Sequence, residues 1–62
     1  MKVKFIDVGR NKACWASECK ELTYNWLYKQ AKKVLRSSVI DFEENGTILV
    51  GGFRPVGRFE IE

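Results

Sequence analysis

The sequence predicts an α+β fold in which a single helix packs on a small antiparallel sheet of four or five strands. One central segment has the apolar period of an amphipathic helix, whereas the segments on both sides alternate with a period of two and are separated by turn residues. The chain has only 62 residues and no linker-like stretch. We therefore expect a single small domain, residues 1–62, with the element order β(β)αβββ.

The first strand is predicted over Met1–Val8, where Val3 and Phe5 share one side until the alternation changes phase. This change of phase predicts either a β-bulge or burial on both sides of the strand. Residues 9–11 (Gly-Arg-Asn) have the composition of a turn. Residues 12–16 are compatible with a short second strand, whose existence the sequence leaves open.

The helix is predicted over Glu18–Arg36 with Ser17 as its N-cap, because acidic residues follow the cap and basic residues precede the end. Its apolar face covers more than half of the circumference. That face consists of Cys19, Leu22, Thr23, Trp26, Leu27, Ala31 and Val34. A ridge of four cations is predicted on the opposite face, formed by Lys29, Lys32, Lys33 and Arg36.

The rest of the chain is predicted to form a three-stranded meander. Asn45-Gly46 predicts a two-residue hairpin loop of type I′, a turn that needs positive φ at both central residues. With that loop, Phe42 pairs with Leu49, and both lie on the same face as Ile40. The opposite face then carries Val39, Asp41, Glu43, Ile48 and Val50.

A second loop is predicted over residues 54–58 (Arg-Pro-Val-Gly-Arg), followed by a final strand that contains Phe59 and Ile61. In this register Phe53 lies opposite Phe59. The glycines at positions 51 and 52 predict a bulge or the close approach of another group.

Catalysis is not expected. The chain has no histidine, so the usual general base at neutral pH is absent and no imidazole can activate a Cys or Ser nucleophile. Two cysteines, Cys14 and Cys19, supply only half of a four-ligand zinc site. Phosphate-binding glycine motifs are also absent. We expect no catalytic residue, metal, cofactor or small-molecule substrate.

The sequence also bears on location. It contains no apolar run long enough to cross a membrane and no secretory signal. We therefore expect a cytoplasmic protein, complete from Met1, that does not interact with a membrane.

Surplus apolar surface favours a protein-interaction module, because one helix cannot cover both faces of a sheet. The residues expected to remain uncovered are Tyr24, Tyr28, Val39, Ile48 and Val50. The expected partner is a larger protein or a second copy of the chain in a homodimer. The small size, the lack of catalytic residues and the eight aromatic residues resemble accessory or inhibitor-type proteins of phages and other mobile elements.

The alternative hypothesis is a protein that binds the backbone of a nucleic acid. Up to residue 36 the chain has nine cations and three acids, and beyond it two cations and five acids. The helix ridge could follow phosphates or contact an acidic partner, and basic residues in the turns would extend it. This basic surface consists of Lys29, Lys32, Lys33, Arg36, Arg54 and Arg58, with Arg10 and Lys12 in the first turn.

Overall fold

A computed structural model of the protein describes all 62 residues and contains one helix and one five-stranded antiparallel sheet. The strands are β1 (Lys2–Val8), β2 (Ala13–Glu18), β3 (Ile40–Phe42), β4 (Thr47–Val50) and β5 (Arg54–Ile61), and the helix α1 (Tyr24–Lys32) follows β2. The strand order across the sheet is β2-β1-β5-β4-β3. The predicted α+β fold is confirmed, and the second strand is present.

Strand β1 pairs with β2 on one side and with β5 on the other. Its alternation places Val3 and Phe5 in the core. A bulge between Phe5 and Val8, with Asp7 at a φ of 51°, returns Val8 to the same buried face. The change of phase in the sequence therefore marks a β-bulge, one of the two predicted explanations.

The helix begins later than predicted. Strand β2 continues to Glu18, which pairs with Lys2, so Ser17 belongs to the sheet. The N-cap is Thr23, whose Oγ1 accepts a hydrogen bond from the backbone N–H of Trp26 at 3.2 Å. The prediction of Ser17 as the N-cap was wrong because pairing with β1 outweighs the local capping signal.

The helix also ends earlier than predicted. Lys33 is its C-cap, and the backbone N–H groups of Val34 and Leu35 both donate to the carbonyl of Ala31, at 3.1 and 2.9 Å. The side chain of Leu35 is buried, so the chain turns back towards the sheet after α1. The predicted helix over residues 18–36 was therefore wrong at both ends, and Arg36 lies beyond the helix.

The buried core between α1 and the sheet is mainly aliphatic, and a set of aromatic rings packs within and around it. Phe5 stacks on Trp15 with 4.6 Å between ring centroids, and further ring contacts connect seven of the eight aromatic residues. The indole N–H of Trp15 donates to Oε1 of the buried Gln30 at 3.1 Å, which ties α1 to β2. Phe53 is the one aromatic residue outside this connected set.

The β3–β4 loop contains three residues, 44–46, whereas two were predicted. The backbone N–H of Glu43 donates to the carbonyl of Thr47 at 2.9 Å, which closes the loop. Gly46 has a φ of +96°, whereas Asn45 is not at positive φ and instead accepts a hydrogen bond from the N–H of Thr47. The type I′ prediction was therefore wrong, and the loop is of the three-residue kind that ends in a glycine.

The additional loop residue shifts the register by one and reverses the faces of β4. Ile40 pairs with Val50 and Phe42 with Ile48, so all four lie on the side of α1. Ile48 is fully buried and Val50 packs against the core, while Leu49 lies on the other face. The predicted uncovered apolar face centred on Ile48 and Val50 was therefore wrong.

The β4–β5 turn also differs from the prediction. It consists of residues 51–53, and Arg54 already pairs with Val50. Gly51 and Gly52 have φ values of +64° and +86°, the left-handed conformation that glycine adopts without strain. Residues 54–58 belong to strand β5, and Pro55 lies beside an irregularity of the ladder, where a residue without an N–H is tolerated. The predicted loop over 54–58 and the pairing of Phe53 with Phe59 were wrong.

Candidate functional site

A cleft of about 800 Å³ opens at one end of the molecule between three segments of the chain. These segments are the β1–β2 turn, the residues that follow α1, and the β4–β5 hairpin. The apolar side chains that line the cleft are Val8, Ala13, Val34, Leu35, Val50 and Val56.

Gly9 connects the three segments. Its backbone N–H donates to the carbonyl of Val56 in β5 at 2.8 Å. A Cβ at this position would lie 3.4 Å from Cδ2 of Leu35 and 3.7 Å from the carbonyl oxygen of Val34, so the turn packs closely against the residues after α1. The β1–β2 turn is therefore held against β5 and the residues after α1 by contacts of its own backbone.

All charged residues that line the cleft are positive. They are Arg10, Lys32, Lys33, Arg36 and Arg54. The whole chain has eleven cations and eight acids, so the remaining six cations and eight acids give the rest of the molecule a net charge of −2. The positive charge of the protein is thus concentrated at this cleft, where it creates a favourable potential for anions.

One of these cations is used within the fold. The Nζ of Lys32 donates to the carbonyl oxygens of Arg36 at 3.3 Å and of Ser37 at 3.1 Å. It thereby satisfies two carbonyl groups just beyond the helix and places positive charge at the negative end of the helix dipole. The four other cations form no ion pair, since both salt bridges of the protein join lysines of β1 to Glu62.

The predicted basic surface is only partly formed. Lys32, Lys33, Arg36 and Arg54 line the cleft together with Arg10. Lys29 on α1 and Lys12 in the β1–β2 turn do not line the cleft. Arg58 pairs with Ile6 and Thr47 and lies on the sheet face opposite to its buried neighbour Phe59.

The predicted apolar interface is also only partly formed. The hydroxyl groups of Tyr24 and Tyr28 donate to the carbonyls of Ile40 and Ser38, on either side of Val39. Tyr24 and Val39 are half exposed, at 50% and 55%. Tyr24 and Val39 form a small exposed surface beside β3, next to the partly buried ring of Tyr28, whereas Ile48 is buried in the core and Val50 packs against it.

The sequence patterns did not identify Phe53 as a candidate functional residue. Its side chain is 83% exposed, the highest value among the large hydrophobic residues, and its backbone continues directly into Arg54 at the cleft. The feature of the sequence that could have identified Phe53 is its position after two consecutive glycines. That pattern predicts a turn, and an aromatic residue in a tight turn has no strand neighbour to cover it.

A second, shallower cavity of about 370 Å³ lies beside the β3–β4 loop and is lined by two carboxylates, Glu44 and Glu60. No group of three or more Cys, Asp or Glu side chains is positioned to hold a metal ion. The single helix has nine residues and is too short to cross a membrane.

Comparisons with protein-family models, curated proteins and solved structures gave no match.

Proposed function

We propose that this protein binds the phosphate backbone of a nucleic acid in the basic cleft and that it acts without catalysis. The observation that supports this function is the convergence of five cations and no carboxylate on one open cleft. Three separate segments supply these cations, and four of the five have no partner within the fold. Neutralisation of phosphates by such groups releases condensed counterions, which is the main driving force of backbone binding.

The composition of the cleft favours phosphate over other anionic groups. Three of its five cations are arginines, whose planar guanidinium groups donate two parallel hydrogen bonds to phosphate oxygens. Arg10 and Arg54 lie on different hairpins, and Lys33 and Arg36 belong to the segment after α1. Cations spread along an open cleft suit successive phosphates of a chain better than a single small anion.

Backbone contacts carry no sequence information, so we expect binding that depends little on base sequence and strongly on salt. The net charge of +3 and the isoelectric point of about 9.1 are also suited to attraction of a polyanion.

The test compares two charge reversals in the same strand, Arg54→Glu and Arg58→Glu. Both arginines are exposed residues of β5, but only Arg54 lines the cleft. Binding of a fluorescently labelled 12-nucleotide single strand is measured by anisotropy at several salt concentrations. Arg54→Glu is expected to raise Kd about tenfold or more relative to Arg58→Glu, because a charge-assisted hydrogen bond contributes ~1.5–3 kcal/mol.

The Arg58→Glu control has the same change in net charge, so any difference between the variants reports the local interaction at the cleft. A smaller dependence of log Kd on log salt is also expected for Arg54→Glu, by about 0.7 for each phosphate that is no longer neutralised. Equal effects of the two variants, or no binding by the unmodified protein at low salt, would show that the cleft is not a phosphate site.

A second candidate is a protein-interaction module, whose partner is another protein or a second copy of the chain. It is favoured by the exposed side chains of Tyr24 and Val39, with the partly buried Tyr28 next to them, beside the short edge strand β3. Binding through apolar side chains would persist at high salt and would be insensitive to Arg54→Glu, so the same measurements separate this candidate from the first.

A further inference from the structure

Phe53 stands apart from every other aromatic residue of the protein. The other seven form one connected set of ring contacts, whereas Phe53 is 83% exposed and makes none. A domain of this size needs nearly all its large apolar side chains for the core. Binding of a ligand would explain why an aromatic ring is left in solvent at the residue that precedes Arg54 of the cationic cleft.

The turn that carries Phe53 leaves its surroundings open. Phe53 follows Gly51 and Gly52, and a Cβ built at either glycine would meet no atom within 4 Å. The next residue, Arg54, lines the cleft. A flat ligand attached to a bound phosphate chain therefore has free access to the turn on which the ring lies.

We propose that the cleft takes a single-stranded nucleic acid and that Phe53 stacks on one of its bases while the cationic side chains hold the phosphates. This inference rests on the proposed function and adds the class of nucleic acid and the residue that selects it. Grooves that bind single strands combine cations along the backbone with aromatic rings on which bases stack, because every base has a stacking face.

A duplex fits these observations less well. In a duplex the faces of the bases are stacked on their neighbours, so only base edges are accessible in the grooves. An exposed phenyl ring therefore gains a stacking partner only from an unpaired base. The one helix, the element that commonly enters a major groove, buries Leu27, Gln30 and Ala31 against the sheet and meets the cleft only with its C-terminal end.

The experiment uses three fluorescent probes of equal length: a mixed-sequence 12-nucleotide DNA strand, its duplex, and a 12-unit phosphodiester chain that lacks bases. The unmodified protein is expected to bind the single strand most tightly. Phe53→Ala is expected to weaken binding of the single strand about 5- to 150-fold, the equivalent of ~1–3 kcal/mol for one base on one ring. Its affinity for the chain without bases should not change.

Two matched variants separate stacking from apolar contact. Phe53→Trp is expected to keep the affinity for the single strand, whereas Phe53→Leu is expected to weaken binding nearly as much as Phe53→Ala does. Because the side chain is so exposed, we expect each variant to fold, and circular dichroism checks this. The salt dependence should be unchanged in Phe53→Ala, because no phosphate contact is removed.

The outcomes distinguish this inference from the proposed function. If the unmodified protein binds all three probes alike and Phe53→Ala has no effect, the stacking role is overturned, while an effect of Arg54→Glu still supports the phosphate site. If Phe53→Ala weakens binding of the chain without bases as much as binding of the single strand, the ring does not act through a base and the inference is overturned. If no probe binds at low salt, both proposals are overturned.

Discussion

Gly46 closes the β3–β4 loop at a φ of +96° and lies directly against strand β5. Its carbonyl accepts a hydrogen bond from the N–H of Phe59 at 2.7 Å, and a Cβ at this position would clash with the carbonyl oxygen of Phe59. Gly52 has a similar φ of +86° but no neighbour within 4 Å of an added Cβ. The two glycines both have positive φ and differ in their surroundings.

This difference predicts that an added methyl group lowers the free energy of unfolding less at Gly52 than at Gly46. Gly52→Ala is expected to lower the free energy of unfolding by only the ~1–2 kcal/mol of left-handed strain. Gly46→Ala adds the displacement of β5 to that strain, and we expect a decrease of at least ~3 kcal/mol, a large fraction of the stability of a small domain. Denaturant titrations followed by circular dichroism measure both, and equal decreases would contradict the close packing at Gly46.

The β3–β4 hairpin shows what the sequence can predict of an element and what it cannot. Asn45-Gly46 correctly marked a hairpin, but a glycine at positive φ serves the two-residue loop and the three-residue loop equally well. The choice depends on contacts with β5, including the bond from Phe59 to Gly46, and these are absent from any local pattern. A one-residue error in loop length then reversed the predicted faces of β4.

The register of this hairpin predicts a contrast between two adjacent residues of β4. Ile48 is fully buried, whereas Leu49 is half-buried on the face away from α1. Ile48→Ala is expected to lower the free energy of unfolding by ~2–5 kcal/mol, and Leu49→Ala by about 1 kcal/mol or less. The reverse order, measured by urea denaturation, would instead indicate a two-residue loop.

The helix was predictable in its centre and not at its ends. The apolar period correctly identified Leu27 and Ala31 as core residues. The N-terminal end was missed because Glu18 pairs with Lys2, and the C-terminal end because the burial of Leu35 turns the chain after Lys33. Both ends are thus determined by tertiary contacts rather than by capping or periodicity.

Across the protein as a whole, the fold concentrates positive charge at one end. Cleft residues such as Arg10, Lys33 and Arg54 are separated by more than 20 positions in the sequence and meet because two hairpin turns and the end of α1 lie at the same end. The sequence predicted basic residues along one helix face, but only the tertiary structure assembles them into a cleft. Five of the eight predicted basic residues contribute to it: Arg10, Lys32, Lys33, Arg36 and Arg54.

Binding of a single strand in the cleft can be tested at every residue by titrating the ¹⁵N-labelled protein with an unlabelled 12-nucleotide strand and following the amide chemical shifts. We expect the largest changes at residues 9–11, 33–37 and 50–54, which line or adjoin the cleft. Amides of Lys4 and Glu60, which pair at the centre of the sheet, should change little. Changes centred on those strands or beside Val39, with none around the cleft, would contradict binding at this site.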